Sequence, residues 1–217
     1  MDPGGRAVEI TIRNLEKCYG QKEILKIPEF IFAGGGIHQL SGANGAGKST
    51  LFEILSLIDQ DYEGSVSFNG TDIRTIPKDG QTVTQVFQKP VMLGRSVKEN
   101  LIFPLKMRGF DEKVIDQDLS FYLDYLPLEV LMGQKGTSLS SGEAQKVSLI
   151  RGLLLKTPIL LLDEPFSAMD RASREQSLSM IMDHHQRYKP TIIIISHREM
   201  EHPMMEITHL ERGSLII

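Results

Sequence analysis

The sequence predicts an α/β fold built on a largely parallel sheet, and three observations carry that expectation. The run Ile159-Leu160-Leu161-Leu162 is continuously apolar, as a strand covered on both faces must be, and Thr191 to Ser196 reads as a second buried strand. A helical stretch, Asp170 to Tyr188, separates them, and strand, helix, strand in that order requires a parallel crossover. A third apolar strand, Ile37 to Ser41, enters a glycine-rich turn that opens a helix over Gly47 to Leu57.

The remaining elements follow in chain order. Val8 to Leu15 and Ser65 to Phe68 read as strands, with Tyr19-Gly20-Gln21 and Asn69-Gly70 as turns, so the amino-terminal part is antiparallel. Ser96-Val97-Lys98-Glu99 is a capping box, and a helix to about Met107 follows from it. Leu119, Tyr122, Leu123 and Leu126 recur at i, i+3, i+4 and i+7, one face of a helix over Asp118 to Leu126. The acidic stretch Asp111 to Asp118 reads as a solvated face. Glu143 to Lys156 is helical up to Pro158, and Ile207 to Leu210 with Ser214 to Ile217 form a closing strand pair around Gly213. With 217 residues the chain suits a single domain, 1–217, with an inserted helical part over about 90–157.

Gly42-Ala43-Asn44-Gly45-Ala46-Gly47-Lys48-Ser49, followed by Thr50, fits the phosphate-loop spacing, and it sits between a strand and a helix as that motif requires. Glycines let backbone N–H groups turn inward around phosphate oxygens, and the helix N-terminus adds partial positive charge. Lys48 is placed for the β- and γ-phosphates of ATP, and the Ser49 hydroxyl for Mg²⁺. The strand Ile159 to Leu162 then ends in Asp163-Glu164. Two acids at the end of a buried strand are costly unless something positive meets them. With Lys48-Ser49 present, the pattern is that of a P-loop NTPase core: Asp163 serves Mg²⁺ and Glu164 is the general base for water.

Leu139-Ser140-Ser141-Gly142-Glu143 is similar to the LSGGQ signature of ABC ATPases and lies upstream of the acidic strand, as in that family. Tyr19 before Gly20, Gln88 after Phe87, Ser167-Ala168-Met169-Asp170 after the acids and His197 after the next strand continue the resemblance in the family's order. The chain therefore resembles the ATP-binding subunit of an ABC transporter over essentially its whole length. The resemblance implies that Tyr19 stacks on adenine and that Gln88 touches Mg²⁺ and the attacking water and relays to the transporter. It implies that Ser140 and Gly142 bind the γ-phosphate of ATP held by a second copy, that Asp170 lies at that dimer seam, and that His197 contacts the γ-phosphate. The implied assembly is an ATP-dependent homodimer on an integral-membrane permease, peripheral to the cytoplasmic face of the inner membrane. Ser141 and Glu143 depart from the family's glycine and glutamine, so a competent but slow ATPase is expected. Short strings, Gln88 to Pro104 and Ser148 to Arg151, resemble the ATP-binding subunits of iron exporters, which points to metal or iron export as cargo.

A net charge of −4 argues against nucleic acid as the main partner. Met1 to Arg6 lacks an apolar h-region, so no signal peptide is expected, and no apolar run reaches the roughly 20 residues that cross a bilayer. The single cysteine, Cys18, reads as a small packing residue. His184-His185 and the other histidines lack a metal-ligand spacing. No heptads interrupt the chain, unlike chromosome-maintenance ATPases, and there is one cassette, unlike translation-type ABC factors. A role in signalling through a membrane complex without transport stays open at this point, as does a soluble ABC ATPase.

Overall fold

A computed structural model describes residues 7–197, 200 and 202–216. The expectations placed on Met1 to Arg6 and on Ile217 lie outside the described residues. The chain divides into two compact units: Met1–Gln85, Thr157–Glu164 and Lys189–Ile217 form the first, and Val86–Lys156 with Pro165–Tyr188 the second.

Strands and helices are numbered in chain order. In the first unit these are β1 (Ile10–Tyr19), β2 (Lys22–Phe32), β3 (Ile37–Ser41), α1 (Lys48–Leu55), β4 (Glu63–Phe68), β5 (Thr71–Asp72), β6 (Val83–Val86), β7 (Ile159–Asp163), β8 (Thr191–Ile195), β9 (Met205–Glu211) and β10 (Ser214–Ile216). One sheet has the order β2-β1-β4-β5, the other β10-β9-β3-β8-β7-β6. The first is antiparallel throughout; in the second β3 runs parallel to β8 and β9, and β7 parallel to β8, as the apolar runs required. Every residue of β8 is buried, which is why its sequence is Thr-Ile-Ile-Ile-Ile without alternation. Ile10, Ile12, Phe32, Leu40, Leu51, Phe52, Leu161 and Ile193 join one core cluster.

The strands β2 and β6 were not anticipated. The β2 sequence is rich in Lys and Glu and contains Pro28, which removes a ladder donor; its position at the edge of its sheet makes that tolerable. Strand β1 runs longer than Val8 to Leu15 because a register irregularity between Arg13 and Glu16, with Asn14 at φ 48°, carries it past a break in its alternation. Cys18, expected to be a packing residue, is exposed on β1. Helix α1 stops short of Leu57, which turns to φ 67°.

The second unit holds α2 (Val97–Met107), α3 (Glu112–Leu123), α4 (Ser141–Leu154) and α5 (Arg171–Tyr188). The predicted capping box of α2 is formed, and α4 starts with a second. Ser96 accepts from the Glu99 N–H while Glu99 accepts from the Ser96 N–H, and Ser140 and Glu143 do the same for α4. Helix α3 begins earlier than the periodicity suggested, because Asp111 caps it by accepting from the Lys113 N–H.

The reading of Asp111 to Asp118 as a solvated face fails at its last residue. Asp118 is buried and pairs with Lys156, whose side chain is also buried and whose ammonium lies 4.9 Å from the Tyr188 ring centroid. Beside this pair the Tyr122 hydroxyl and His184 Nδ1 are 2.7 Å apart. Burial, with the Lys156 charge adding to it, pushes the His184 pKa down to about 3, so the ring is a neutral packing partner. Among the described residues no three or more His, Cys, Asp and Glu side chains come together as a metal-binding group.

Removing one member of a buried ion pair leaves the other charge without compensation. Asp118→Ala is expected to destabilise the protein by about 3 kcal/mol, and Asp118→Asn by less; urea unfolding followed by circular dichroism measures both. An Asp118→Ala midpoint equal to the parent's would show that the pair contributes nothing.

Candidate functional site

The site in the first unit is built where parallel strands end. Leu40 of β3 pairs with Ile195 of β8, and Ile195 pairs with Asp163 of β7, so three strand ends stand level. Each continues into chemistry: β3 into the loop 42–47, β7 into Glu164, β8 into Ser196 and His197. Ligand sites of α/β sheets form at such carboxyl ends.

The loop needs its glycines for different reasons. Gly42 has φ 148°, and a Cβ there would lie 2.3 Å from the Leu210 carbonyl oxygen. Gly47 has φ 105°, and its Cβ would lie 2.7 Å from the Leu25 side chain. Lys48 folds back, its ammonium donating to the carbonyls of Gly42 at 2.6 Å and Ala43 at 2.9 Å. Burial lowers the Lys48 pKa, while Glu164 and Asp163 pull it back upward. Asn44, Gly45 and Ser49 are exposed, and Ala46 and Thr50 half-buried, so the rim of the loop is open.

The two acids are held differently. Asp163 closes β7 half-buried, and burial raises its pKa against the pull of Lys48 and His197. Glu164 adopts φ 46°, uncommon for a side chain this large, and its N–H donates to the Ile195 carbonyl at 3.0 Å. Its Oε1 stands 3.4 Å from Nε2 of His197, an exposed ring. Burial raises the Glu164 pKa, partly countered by His197. The first unit thus brings together Gly42 to Thr50, Asp163, Glu164 and His197. Tyr19 ends β1 with an exposed ring in the same unit.

Gln88, Ser140, Gly142 and Asp170 all belong to the second unit. Gln88 and Ser140 are exposed, and Ser140 Oγ donates to Glu143 Oε2 at 2.7 Å. A Cβ on Gly142 would lie 2.9 Å from the Ala168 carbonyl oxygen, so glycine is required by that approach. Asp170 accepts from the Ser173 N–H at 2.7 Å, a bond that lowers its pKa and caps α5. Gln145 was missed by sequence reasoning: buried, it receives the Ala168 N–H at 2.7 Å and donates to Ser167 Oγ at 3.1 Å, tying α4 to the 167–170 segment. Its signal was a polar residue at a helical spacing from Leu149 and Gly152, on the side that the helix buries.

The chemistry such a site offers is binding of a polyphosphate and activation of water. Asp163 and the Ser49 hydroxyl are hard oxygen donors, suited to Mg²⁺, which is ordinarily completed by phosphate oxygens and water.

Comparison with known proteins extends the geometry. The family model described as ABC transporter matches residues 25–167. The chain is 42% identical over 190 residues to the tungstate uptake system ATP-binding protein TupC of Peptoclostridium acidaminophilum, covering 88% of this chain and 87% of that protein. It is 33% identical to the TupC of Campylobacter jejuni and 31% identical to the spermidine/putrescine import ATP-binding protein PotA of Fusobacterium nucleatum, spanning only 56% and 52% of their lengths. Among solved structures, an ATP-binding subunit of an ABC transporter superposes with TM-score 0.85 at 22% identity, over 95% of this chain and 87% of that one, a likeness of fold. A bacterial Atm1-family ABC exporter with ATP bound superposes with TM-score 0.82 at 26% identity, over 96% of this chain and 38% of that one.

The raised carboxylates set the pH response of the nucleotide-free protein. Asp163 and Glu164 bind protons more tightly folded than unfolded, so stability falls as pH rises from the unfolded values near about 4 through the raised folded ones. Asp163→Asn and Glu164→Gln should each flatten that fall and raise the melting temperature at neutral pH. Thermal melts from about pH 4 to about pH 8 test this, and a lower neutral-pH melting temperature in both variants would contradict it.

Proposed function

The chain belongs to the ABC transporter family, and from that premise we propose how its residues carry out the work. It is an ATP-binding subunit, an ATPase whose hydrolysis is coupled to transport. The convergence of Lys48, Asp163, Glu164 and His197 on three level strand ends carries the reading of mechanism.

One ATPase domain spans residues 1–217. Backbone N–H groups from Ala43 to Ser49 cradle the phosphates, and Lys48 exchanges the carbonyls of Gly42 and Ala43 for phosphate oxygens. That exchange is favourable because a desolvated ammonium gains more from a polyanion than from two carbonyls. Ser49 and Asp163 would hold Mg²⁺, which would supply charge neutralisation on the phosphates. Glu164 accepts the proton of the attacking water. Its raised pKa keeps it nearer to neutral working pH, where a base is most effective. His197 contacts the γ-phosphate and steadies Glu164, and Tyr19 receives adenine. A second copy offers Ser140 and Gly142 at the α4 N-terminus, with Asp170 at the seam, so two copies close on two ATP molecules. The motion passes through the Gln88 segment to a membrane permease at the cytoplasmic face.

The iron-export expectation finds no support among the relatives described: two are tungstate uptake subunits and one a polyamine import subunit, and the 42% identity to an uptake subunit exceeds the 26% to an exporter. The cargo is an imported oxyanion of the tungstate class, a reading that rests on the relative matched over 87% of its length.

Glu164→Gln should lower hydrolysis by on the order of a hundredfold to ten-thousandfold while ATP binding persists; a normal rate would remove Glu164 from the role of base. Lys48→Ala should weaken ATP binding roughly tenfold to hundredfold by equilibrium titration, and an unchanged affinity would count against the phosphate loop. Cells in which the chain is deleted should lose accumulation of tungstate measured by elemental analysis. Intact tungstate accumulation together with raised cellular iron would return the cargo to iron export.

A further inference from the structure

Lys17 is a lysine where β1 calls for an apolar residue. It follows Ile10, Ile12 and Leu15 on the inward side and is 3% exposed. Its ammonium stands 2.9 Å from the Asp59 carboxylate and 3.4 Å from that of Asp61, and it donates to the Asp61 carbonyl as well. Asp59 is itself largely covered, whereas the Asp61 side chain is fully exposed, so Asp59 is the partner that matters. Burial pulls the Lys17 pKa down, but bonds and charge from both acids overcome it and hold it above the ordinary lysine value. Asp59, against the upward pull of its own burial, stays below the ordinary carboxylate value through Lys17 and through the Asp61 N–H, which donates to it at 2.9 Å.

The same ammonium lies 5.0 Å from the centroid of the Tyr19 ring, within cation–π range. A register shift between Lys17 and Cys18 frees the strand end from strict alternation, so that Tyr19 is 51% exposed while Lys17 remains covered. One face of the ring is therefore occupied by a cation fixed from behind, and the ring retains an open surface. A rotating exposed tyrosine would lose rotamer freedom on stacking with a base; a ring already held loses less.

We propose that Lys17, fixed by Asp59, is a positioning residue that sets the plane of the Tyr19 ring as a platform for the nucleotide base. The inference rests on the reading that Tyr19 receives adenine, and the test separates the two. Affinity is measured for ATP and for inorganic tripolyphosphate, which has the three phosphates and no base, with the full-length chain. Lys17→Met is expected to weaken ATP roughly threefold to tenfold and to leave tripolyphosphate within about twofold; Lys17→Arg should restore ATP binding. Asp59→Asn, which keeps the side-chain volume, is a second variant should Lys17→Met fold poorly, and it should show the same base-selective loss. Adding Lys17→Met to Tyr19→Ala should cost nothing more. Equal losses for both ligands would make the cluster purely structural and overturn the proposal. A base-selective loss in Tyr19→Ala with none in Lys17→Met or Asp59→Asn would overturn it while sparing the adenine reading. No base-selective loss in Tyr19→Ala would overturn both.

Discussion

The parallel register of β3, β8 and β7 is the constraint on which the rest depends. Leu40, Ile195 and Asp163 stand side by side across three hydrogen-bonded strands. That alignment puts the phosphate loop, the two acids and His197 at one end of one sheet. A slip of a single residue in either pairing would turn every side chain of the slipped strand to the opposite face. The isoleucine run of β8 is apolar on both faces and would tolerate that turn; what a slip would displace is Thr191, buried at its start, whose hydroxyl donates to the Val8 carbonyl at 2.6 Å and accepts from the Gly35 N–H at 2.9 Å.

Upon that frame the site holds charge in a state that suits a guest. Lys48 is desolvated and donates to two carbonyls of its own loop, and Asp163 and Glu164 are shifted by burial toward the neutral form. Under the proposed reading, each of these groups would gain from a magnesium-bearing polyphosphate. The positive φ of Glu164 belongs to the same economy of position: the bond from its N–H to Ile195 sets the backbone where the carboxylate can stand 3.4 Å from His197.

The second unit is organised by caps rather than by a sheet. Two boxes, at Ser96 and Ser140, start α2 and α4, and Gln145 with Gly142 brings the start of α4 close to the segment that Asp170 caps. Glu143, which departs from the family's glutamine, uses its carboxylate to hold the Ser140 hydroxyl at 2.7 Å. The departure therefore keeps the helix start well made while adding negative charge beside the group assigned to phosphate contact.

Much of this was legible in the sequence. The phosphate loop, the strand ending in two acids, the signature segment and the buried strands are local patterns, and each residue type is there because of its immediate neighbours in the chain: glycine for a turn, serine for a cap, isoleucine for a strand covered twice. What only the tertiary structure decided depends on partners distant in sequence. Pro28 lies in a strand because β2 sits at a sheet edge, Cys18 is exposed because the irregularity between Arg13 and Glu16 moves the inward side of β1 from Ile10 and Ile12 to Leu15 and Lys17, and Asp118 is buried because Lys156 meets it. Lys17 is covered only because Asp59 and Asp61 come to it from a different part of the chain. Short-range periodicity reports which face a residue prefers; the cost of burying a charge is set by whether another charge arrives, and that is known only once the chain has folded.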